Sequence, residues 1–184
     1  MGAVGRAERD QLRREELEAG SHTFPARARP PAPAAALDRG GGLRHANHTT
    51  LAFMVSMRHA SCSCGRLRVE VNGPPLRVSV CHCLACQKRT GSIFGEQARF
   101  ASAGCKVTGE STRYLRVGDE GTSFIFRFCP VCGATVYYTA VGREEVVAIP
   151  VGAFADPTFP TPSVSVYEHR KHLWLELPPE IERL

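Results

Sequence analysis

Apolar and polar residues alternate over several short segments in the last two-thirds of the chain. The alternating apolar positions are Leu67, Val69 and Val71; Leu76, Val78 and Val80; Phe124, Phe126 and Phe128; Val164 and Val166; and Leu173, Leu175 and Leu177. A period of two is typical of β-strands that bury one face. We therefore predict a mainly β domain built from antiparallel sheets, with no helix after residue 57.

The first 57 residues have a different composition. They are rich in Ala, Gly and Pro, and they lack Cys, Tyr and Trp. Such a segment has too little apolar surface to offset the entropy lost on ordering. We predict a low-complexity, disordered tail over residues 1–57 and one folded domain over residues 58–184, a length sufficient for a single hydrophobic core.

Charge and hydropathy argue against several classes of protein. The chain has 23 Lys and Arg residues and 18 Asp and Glu residues, a formal net charge of +5. This mild excess, without a basic stripe interleaved with aromatic residues, argues against nucleic-acid binding. No apolar run approaches the ~20 residues that span a bilayer, and no apolar segment occupies the position of a signal peptide. We expect no membrane partner and a cytoplasmic location.

The eight cysteines carry the main chemical signal. They occur as Cys62-Ser-Cys64, Cys81-His-Cys83-Leu-Ala-Cys86, a lone Cys105, and Cys129-Pro-Val-Cys132-Gly133. Without a secretory signal, such a set is more often metal-binding or catalytic than disulfide-bonded. Seven of the eight have the spacing of metal ligands.

The segment from Cys129 to Gly133 has the pattern of a zinc knuckle. Two thiolates three positions apart can bind one metal ion, and Gly133 tolerates the left-handed backbone that such a turn needs. The alternative is a redox-active pair, but that pair normally begins a helix in a βαβ unit, and strand-like segments flank this motif. A structural zinc needs four ligands, and we predict that Cys62 and Cys64 supply the other two.

Cys81, Cys83 and Cys86 remain as a group of three. Three protein ligands with one exchangeable position are typical of a catalytic zinc site. The alternative is a closed site with a fourth protein ligand, for which the candidates are Cys105, His82, His169 and His172. His82 lies between two of the cysteines, so that in an extended segment its ring points away from the metal. The sequence leaves both the open and the closed site possible.

The three linked clusters, in this order, resemble the glutathione-dependent formaldehyde-activating enzyme family, which shares a zinc-bearing domain with centromere protein V. Gly91-Ser92, Arg127-Phe128 and Trp174 agree with the family pattern, and the resemblance covers about residues 58–178. It implies a β-tent fold of antiparallel sheets. It also implies a structural zinc at Cys62, Cys64, Cys129 and Cys132 and a catalytic zinc at Cys81, Cys83 and Cys86.

The implied activity is the addition of glutathione to formaldehyde to give S-hydroxymethylglutathione, which is classed with the carbon–sulfur lyases. The resemblance thus implies two zinc ions per chain, with a small thiol and a small aldehyde as partners. The alternative function is a non-catalytic zinc-binding module for protein or nucleic acid. One segment departs from the family pattern, because residues 162–167 read Pro-Ser-Val-Ser-Val-Tyr where a His is expected.

Two other groups of residues have both an ordinary and a functional interpretation. Lys88 and Arg89 could bind the carboxylates of glutathione, but the ordinary interpretation, a solvated loop, is favoured. Aromatic residues on strands are usually part of the core. We assign to the core Phe94, Phe100, Phe154, Phe159 and Trp174.

Overall fold

The structure, a computed structural model, describes residues 57–184, and the prediction of a disordered tail therefore lies almost wholly outside the described residues. The described chain is mainly β, as the alternation predicts. Its strands are β1 (Met57–Ser61), β2 (Arg68–Asn72), β3 (Arg77–Cys81), β4 (Gly95–Ala101), β5 (Cys105–Thr108), β6 (Thr112–Val117), β7 (Ser123–Phe128), β8 (Thr135–Ala140), β9 (Arg143–Pro150), β10 (Val164–Val166) and β11 (Glu182–Arg183).

The strands form two sheets. The smaller sheet has the order β1-β2-β5, and the larger one has the order β11-β10-β3-β4-β9-β8-β7-β6. Most pairs are antiparallel, in agreement with the prediction, whereas β10 pairs in parallel with both β3 and β11. Because β4 pairs with the distant β9 as well as with β3, the larger sheet joins distant parts of the chain.

The hydrophobic core lies between the two sheets. Leu67, Val69 and Val71 of the smaller-sheet side are fully buried, and they belong to one cluster with Phe100 and Ile149 of the larger sheet. Burial of each large apolar side chain contributes about 1.5–3 kcal/mol to folding. Along β2 the period of two therefore has the physical cause that the sequence suggests, because every second side chain faces this core.

The other face of the larger sheet carries a row of cross-strand neighbours. Arg99 pairs with Ala148, Ala148 with Tyr138, and Tyr138 with Phe126, so these four side chains lie on one face. Cys81 projects to the same face, since it alternates with the core-facing Val78 and Val80 along β3. The larger sheet thus separates the core from a second surface, which contains cysteine, arginine and aromatic side chains.

The prediction of no helix after residue 57 is wrong for one segment. Residues Leu84–Thr90 form a helix, α1, which covers the end of β3. Cys83 caps its N-terminus, because the Sγ atom accepts the Cys86 N–H at 3.3 Å. Gly91 ends it in the left-handed conformation at φ 65° and donates its N–H to Gln87. A helix of two turns is too short to show a clear period of 3.6.

The leucines at 173, 175 and 177 do not form the predicted strand. The chain turns there, because the Leu175 N–H donates to the His172 carbonyl at 3.0 Å and Lys171 Nζ donates to the Leu175 carbonyl. Leu173 is fully exposed and Trp174 is 71% exposed, so the assignment of Trp174 to the core is also wrong. The described segment pairs with no strand until β11.

The other aromatic residues follow the prediction to different degrees. Phe100 and Phe154 are buried in the core, with ring centroids 6.0 Å apart. Phe159 is half-buried and packs against Phe154, with ring centroids 4.7 Å apart. Phe94 is half-buried and contacts the ring of His82 edge-on. Within residues 57–184, no helix has the length and hydropathy needed to cross a bilayer.

Gly109, which follows β5, tests how closely the chain there approaches the segment that precedes β2. It adopts φ +94°, and a Cβ atom there would lie 1.9 Å from the Arg66 carbonyl oxygen. Gly121 also has a positive φ, +81°, but a Cβ there would meet nothing within 4 Å. We expect Gly109→Ala to lower the free energy of unfolding by more than about 3 kcal/mol, against roughly 1 kcal/mol for Gly121→Ala. Urea unfolding measures both, and equal losses would contradict the close approach.

Candidate metal centres

The first cysteine cluster joins the two sheets. Cys62 and Cys64 lie in the loop between β1 and β2, and Cys129 and Cys132 lie in the turn between β7 and β8. Their four Sγ atoms all lie within 4.8 Å of one another. The structure therefore brings together two pairs that are more than 60 positions apart, as the sequence predicts.

Backbone hydrogen bonds reach this cluster from both of its loops. The Leu67 N–H donates to Cys62 Sγ at 3.3 Å, and the Val131 N–H donates to Cys129 Sγ at 3.4 Å. Gly65 and Gly133 each adopt a positive φ, +72° in both, which turns the backbone at the equivalent place. These N–H groups stabilise thiolates, which are the form of cysteine that binds metal.

The geometry of the four sulfurs fits a tetrahedral metal ion. Cys64 Sγ lies 3.5 Å from Cys62 Sγ and 3.6 Å from Cys129 Sγ. A Zn–S distance of about 2.3 Å predicts sulfur–sulfur distances of about 3.8 Å in a tetrahedron. The observed separations are also far longer than a disulfide bond. The cluster could therefore hold one metal ion with a closed shell of four sulfur ligands.

The thiols of this cluster differ in their pKa values. Burial opposes ionisation of Cys132, but hydrogen bonds from the backbone at Ala134 and Cys64 and from the neighbouring thiols lower its pKa to about 6. The pKa of Cys64 is raised to about 12, because burial and hydrogen bonds from its thiol to the other sulfurs outweigh a backbone hydrogen bond at Arg66 that favours the thiolate. A divalent cation would replace these shared protons and relieve the repulsion between thiolates.

The second cluster lies where β3 passes into α1. Cys81 ends β3, Cys83 is the N-cap of α1, and Cys86 lies in the first turn of the helix. The three Sγ atoms lie within 4.8 Å of one another, and each residue is only 6–7% exposed. The strand end fixes one ligand, and the spacing of three along a helix turn places the other two on one side.

Ionisation of this cluster favours one sulfur over another. The pKa of Cys86 falls to about 5, chiefly because the Cys81 thiol donates a hydrogen bond to it, with a further contribution from the charges of Arg89 and Arg116. The same hydrogen bond, together with burial, raises the pKa of Cys81. Nearby guanidinium groups thus favour negative charge at Cys86.

His82 does not act as a fourth member of this cluster. Its ring is fully buried and turned away, as expected for a residue between two ligands, and its Nε2 lies 3.1 Å from Ser165 Oγ. The Ser165 hydroxyl in turn donates to the Glu168 carboxylate. Burial lowers the pKa of His82 despite the nearby charge of Glu168. This hydrogen-bonded chain anchors the segment between Cys81 and Cys83 to β10.

The other candidates for a fourth ligand also lie outside the cluster. Cys105 begins β5 of the smaller sheet, where its thiol donates to the Ala101 carbonyl. His172 lies 3.4 Å from the Gln87 side-chain oxygen, and His169 packs against the ring of Tyr167. Within residues 57–184, no His, Asp or Glu joins the three sulfurs. The structure therefore brings together only the three cysteines.

The segment that departs from the family pattern lies directly over this cluster. Val166 and Tyr167 pack against the three cysteines, and the His82 N–H donates to the Val166 carbonyl at 3.0 Å. Tyr167 adopts a positive φ of 60°, and its hydroxyl lies 3.1 Å from a Glu120 carboxylate oxygen. Burial and the Glu120 charge raise its pKa to about 12. A neutral phenol therefore covers one side of the cluster.

The interpretation of Lys88 and Arg89 as a solvated loop is wrong. Both belong to the last turn of α1, where cations interact favourably with the helix dipole. Lys88 is exposed, but the Arg89 guanidinium lies over the rings of Phe126, at 5.3 Å, and Tyr138, at 5.9 Å. Arg89 is therefore held against the sheet beside Cys86.

Sequence reasoning missed three residues near the second cluster. The sequence pattern predicts Phe126 only as a strand residue, and it singles out neither Tyr138 nor Arg116. The Arg116 guanidinium lies 5.1 Å from the centre of the Phe126 ring. These residues come from β6, β7 and β8, and only the strand order of the larger sheet brings them near α1. The sequence contains no local signal for that order.

Comparison with known proteins identifies the family of this chain. Residues 57–170 match the family described as glutathione-dependent formaldehyde-activating enzyme. Among solved structures, the chain is similar to a Rhodobacter sphaeroides protein, with 21% identity over 54% of this chain and 91% of that chain and a TM-score of 0.42. A search of curated proteins gives no significant match. Because the family match covers more than half of the chain and includes all seven clustered cysteines, the chain belongs to the glutathione-dependent formaldehyde-activating enzyme family.

Proposed function

We propose that this protein adds a glutathione-like thiol to formaldehyde or another small aldehyde, as a zinc-dependent enzyme of carbon–sulfur lyase type. The observation that carries the proposal is the group of three buried cysteines, Cys81, Cys83 and Cys86, which no fourth ligand of residues 57–184 joins. Three protein ligands and one exchangeable position are typical of catalytic zinc. The family to which the chain belongs supplies the expected reaction.

The two clusters have different roles in this proposal. Cys62, Cys64, Cys129 and Cys132 bind a structural zinc, since four sulfur ligands close the coordination shell and tie both sheets together. Cys81, Cys83 and Cys86 bind the catalytic zinc. The sulfur donor set suits zinc, which takes tetrahedral thiolate sites in proteins. Each chain would thus contain two zinc ions.

The reaction forms one carbon–sulfur bond. The thiol sulfur attacks the carbonyl carbon, the electron pair of the C=O double bond moves to the oxygen, and the oxygen takes up the proton that the thiol releases. A zinc site with three thiolate ligands would have a formal net charge of −1 and would therefore be a weaker Lewis acid than a zinc held by neutral histidines. Its main contribution would be to bind and position the substrate thiol as a thiolate, not to polarise the aldehyde carbonyl.

The protein side chains provide the environment for this step. Burial of the three cysteines keeps bulk water from their sulfur atoms. The Cys86 N–H bond to Cys83 Sγ fixes one ligand, and the charges of Arg89 and Arg116 stabilise negative sulfur at Cys86. Formaldehyde offers almost no surface for binding, so the protein gains rate chiefly by positioning the thiol.

A rate measurement tests the reaction itself. We expect the zinc-loaded protein to accelerate the exchange between free glutathione and its hydroxymethyl adduct in the presence of formaldehyde. Exchange NMR measures this rate at equilibrium, so the spontaneous reaction is subtracted from a sample without protein. An exchange rate equal to the spontaneous one would contradict the proposed function and favour a non-catalytic zinc module.

The substitution Cys83→Ser tests whether loss of the proposed catalytic cluster abolishes activity without unfolding the protein. A serine hydroxyl still caps α1 but is a poor zinc ligand. We expect one zinc ion instead of two per chain, an unfolding midpoint close to that of the unaltered protein, and no acceleration of exchange. Metal analysis by mass spectrometry counts the zinc. The matched control is Cys105→Ser, which lies outside both clusters and should retain two zinc ions and full activity. Full activity of Cys83→Ser would refute the assignment.

The substitution Cys132→Ser tests the structural cluster. Although Cys132 is the exposed member, its loss would remove one of four ligands and most of the zinc binding energy, which is on the order of 10 kcal/mol for such sites. We expect a large fall in the unfolding midpoint and early loss of the bound zinc to a chelator. Thermal unfolding monitored by circular dichroism measures the effect. A midpoint equal to that of Cys105→Ser would show that the cluster does not stabilise the fold.

A further inference from the structure

A cavity of about 460 Å³ lies between α1 and the strands β6 and β7. Arg89 and Arg116 line it from opposite elements, and Phe126 forms an aromatic wall. A volume of this size is in the range of small-molecule binding sites. Neither the family pattern nor the cysteine spacing assigns a role to Arg116 or to this cavity.

The two guanidinium groups are held by aromatic rings. Both lie over Phe126, at 5.3 Å for Arg89 and 5.1 Å for Arg116. Four of their nitrogens, Nε and Nη2 of Arg89 and Nε and Nη1 of Arg116, are buried without a hydrogen-bond partner among residues 57–184. Cation–π contacts fix such groups in place but satisfy none of their N–H donors. The pair is therefore a preorganised site of positive charge with unused donors.

The arginine pair is adjacent to the catalytic cluster. A Cβ atom on Gly95 would lie 3.2 Å from Arg89 Nη2 and 3.3 Å from Cys86 Cβ, so both atoms border the same point. Gly95 pairs with Cys81 across β3 and β4. The absence of a side chain at this position lets the guanidinium approach the cysteines.

We propose that Arg89 and Arg116 form a carboxylate subsite that binds the acidic end of the thiol substrate and thereby places its sulfur at Cys81, Cys83 and Cys86. A carboxylate accepts hydrogen bonds from a planar guanidinium fork, and such charge-assisted bonds are stronger than neutral ones. The inference rests on the proposed function, because that proposal identifies the thiol as a substrate. The binding of a carboxylate itself does not depend on turnover. Arg89 and Arg116 are thus specificity-determining residues.

The test compares two thiols that differ only in charge. Calorimetry on the zinc-loaded protein measures the affinity of 3-mercaptopropionate and of its uncharged amide. We expect the acid to bind at least about 10-fold more tightly, the effect of one charge-assisted hydrogen bond. Arg89→Gln and Arg116→Gln should each remove most of this preference. Because both charges also stabilise negative sulfur at Cys86, the readout is the ratio of the two affinities and not either affinity alone. Arg89→Lys, which keeps the charge but loses the fork, should restore only part of it.

The control removes a positive charge elsewhere. Lys106 lies on β5 of the smaller sheet, 73% exposed, and Lys106→Gln should keep the full preference. Zinc content and unfolding midpoint are measured for every variant to establish that each one is folded and loaded. An undiminished preference in both Arg89→Gln and Arg116→Gln would overturn the proposal.

Other carboxylate sources and anions are separate arms of the same experiment. Glyoxylate carries its carboxylate on the aldehyde, and inorganic phosphate carries none. If glyoxylate or phosphate loses affinity in the arginine variants while 3-mercaptopropionate does not, the assignment to the thiol is wrong. In the unaltered protein, a preference for the acid without accelerated exchange would contradict the proposed function alone. Accelerated exchange without that preference would contradict the carboxylate subsite alone.

Discussion

The meeting of two distant cysteine pairs is the constraint on which the rest of the molecule depends. Cys64 Sγ lies 3.6 Å from Cys129 Sγ, although the two residues are 65 positions apart. This contact joins the β1–β2 loop to the β7–β8 turn and so fixes the smaller sheet against the larger one. The core between the sheets therefore packs with this loop and this turn held together at one point.

The two faces of the larger sheet have different roles, because one packs in the core and the other carries chemically reactive side chains. One face supplies Phe100 and Ile149 to the core, and the other carries Cys81 and the row from Arg99 to Phe126. A change on the second face therefore leaves the main core intact. Such a division allows polar and charged groups near the cysteines without the cost of placing them in the core.

The sequence predicts the parts of this structure that depend on local pattern. The period of two identifies strands such as β2 and β7, and the cysteine spacing identifies both clusters. The sequence does not predict α1, because its N-cap is the sulfur of Cys83 rather than a usual capping residue. Nor does it predict the contact of Arg89 with Phe126, because that contact follows from the order of non-consecutive strands. The leucines from 173 to 177 alternate without forming a strand, since alternation is a sign of burial only where a partner strand exists.

The N-cap of α1 has a consequence for the chemical durability of the site. The helix has only seven residues, too few to persist without its ends fixed. Cys83 Sγ holds its first turn, and Arg89 lies in its last turn. Oxidation of that one sulfur to a sulfinic acid is irreversible in most proteins. A single lesion would thus permanently replace one of the three thiolates by an oxygen acid, while its oxygens would still accept the Cys86 N–H at the start of the helix.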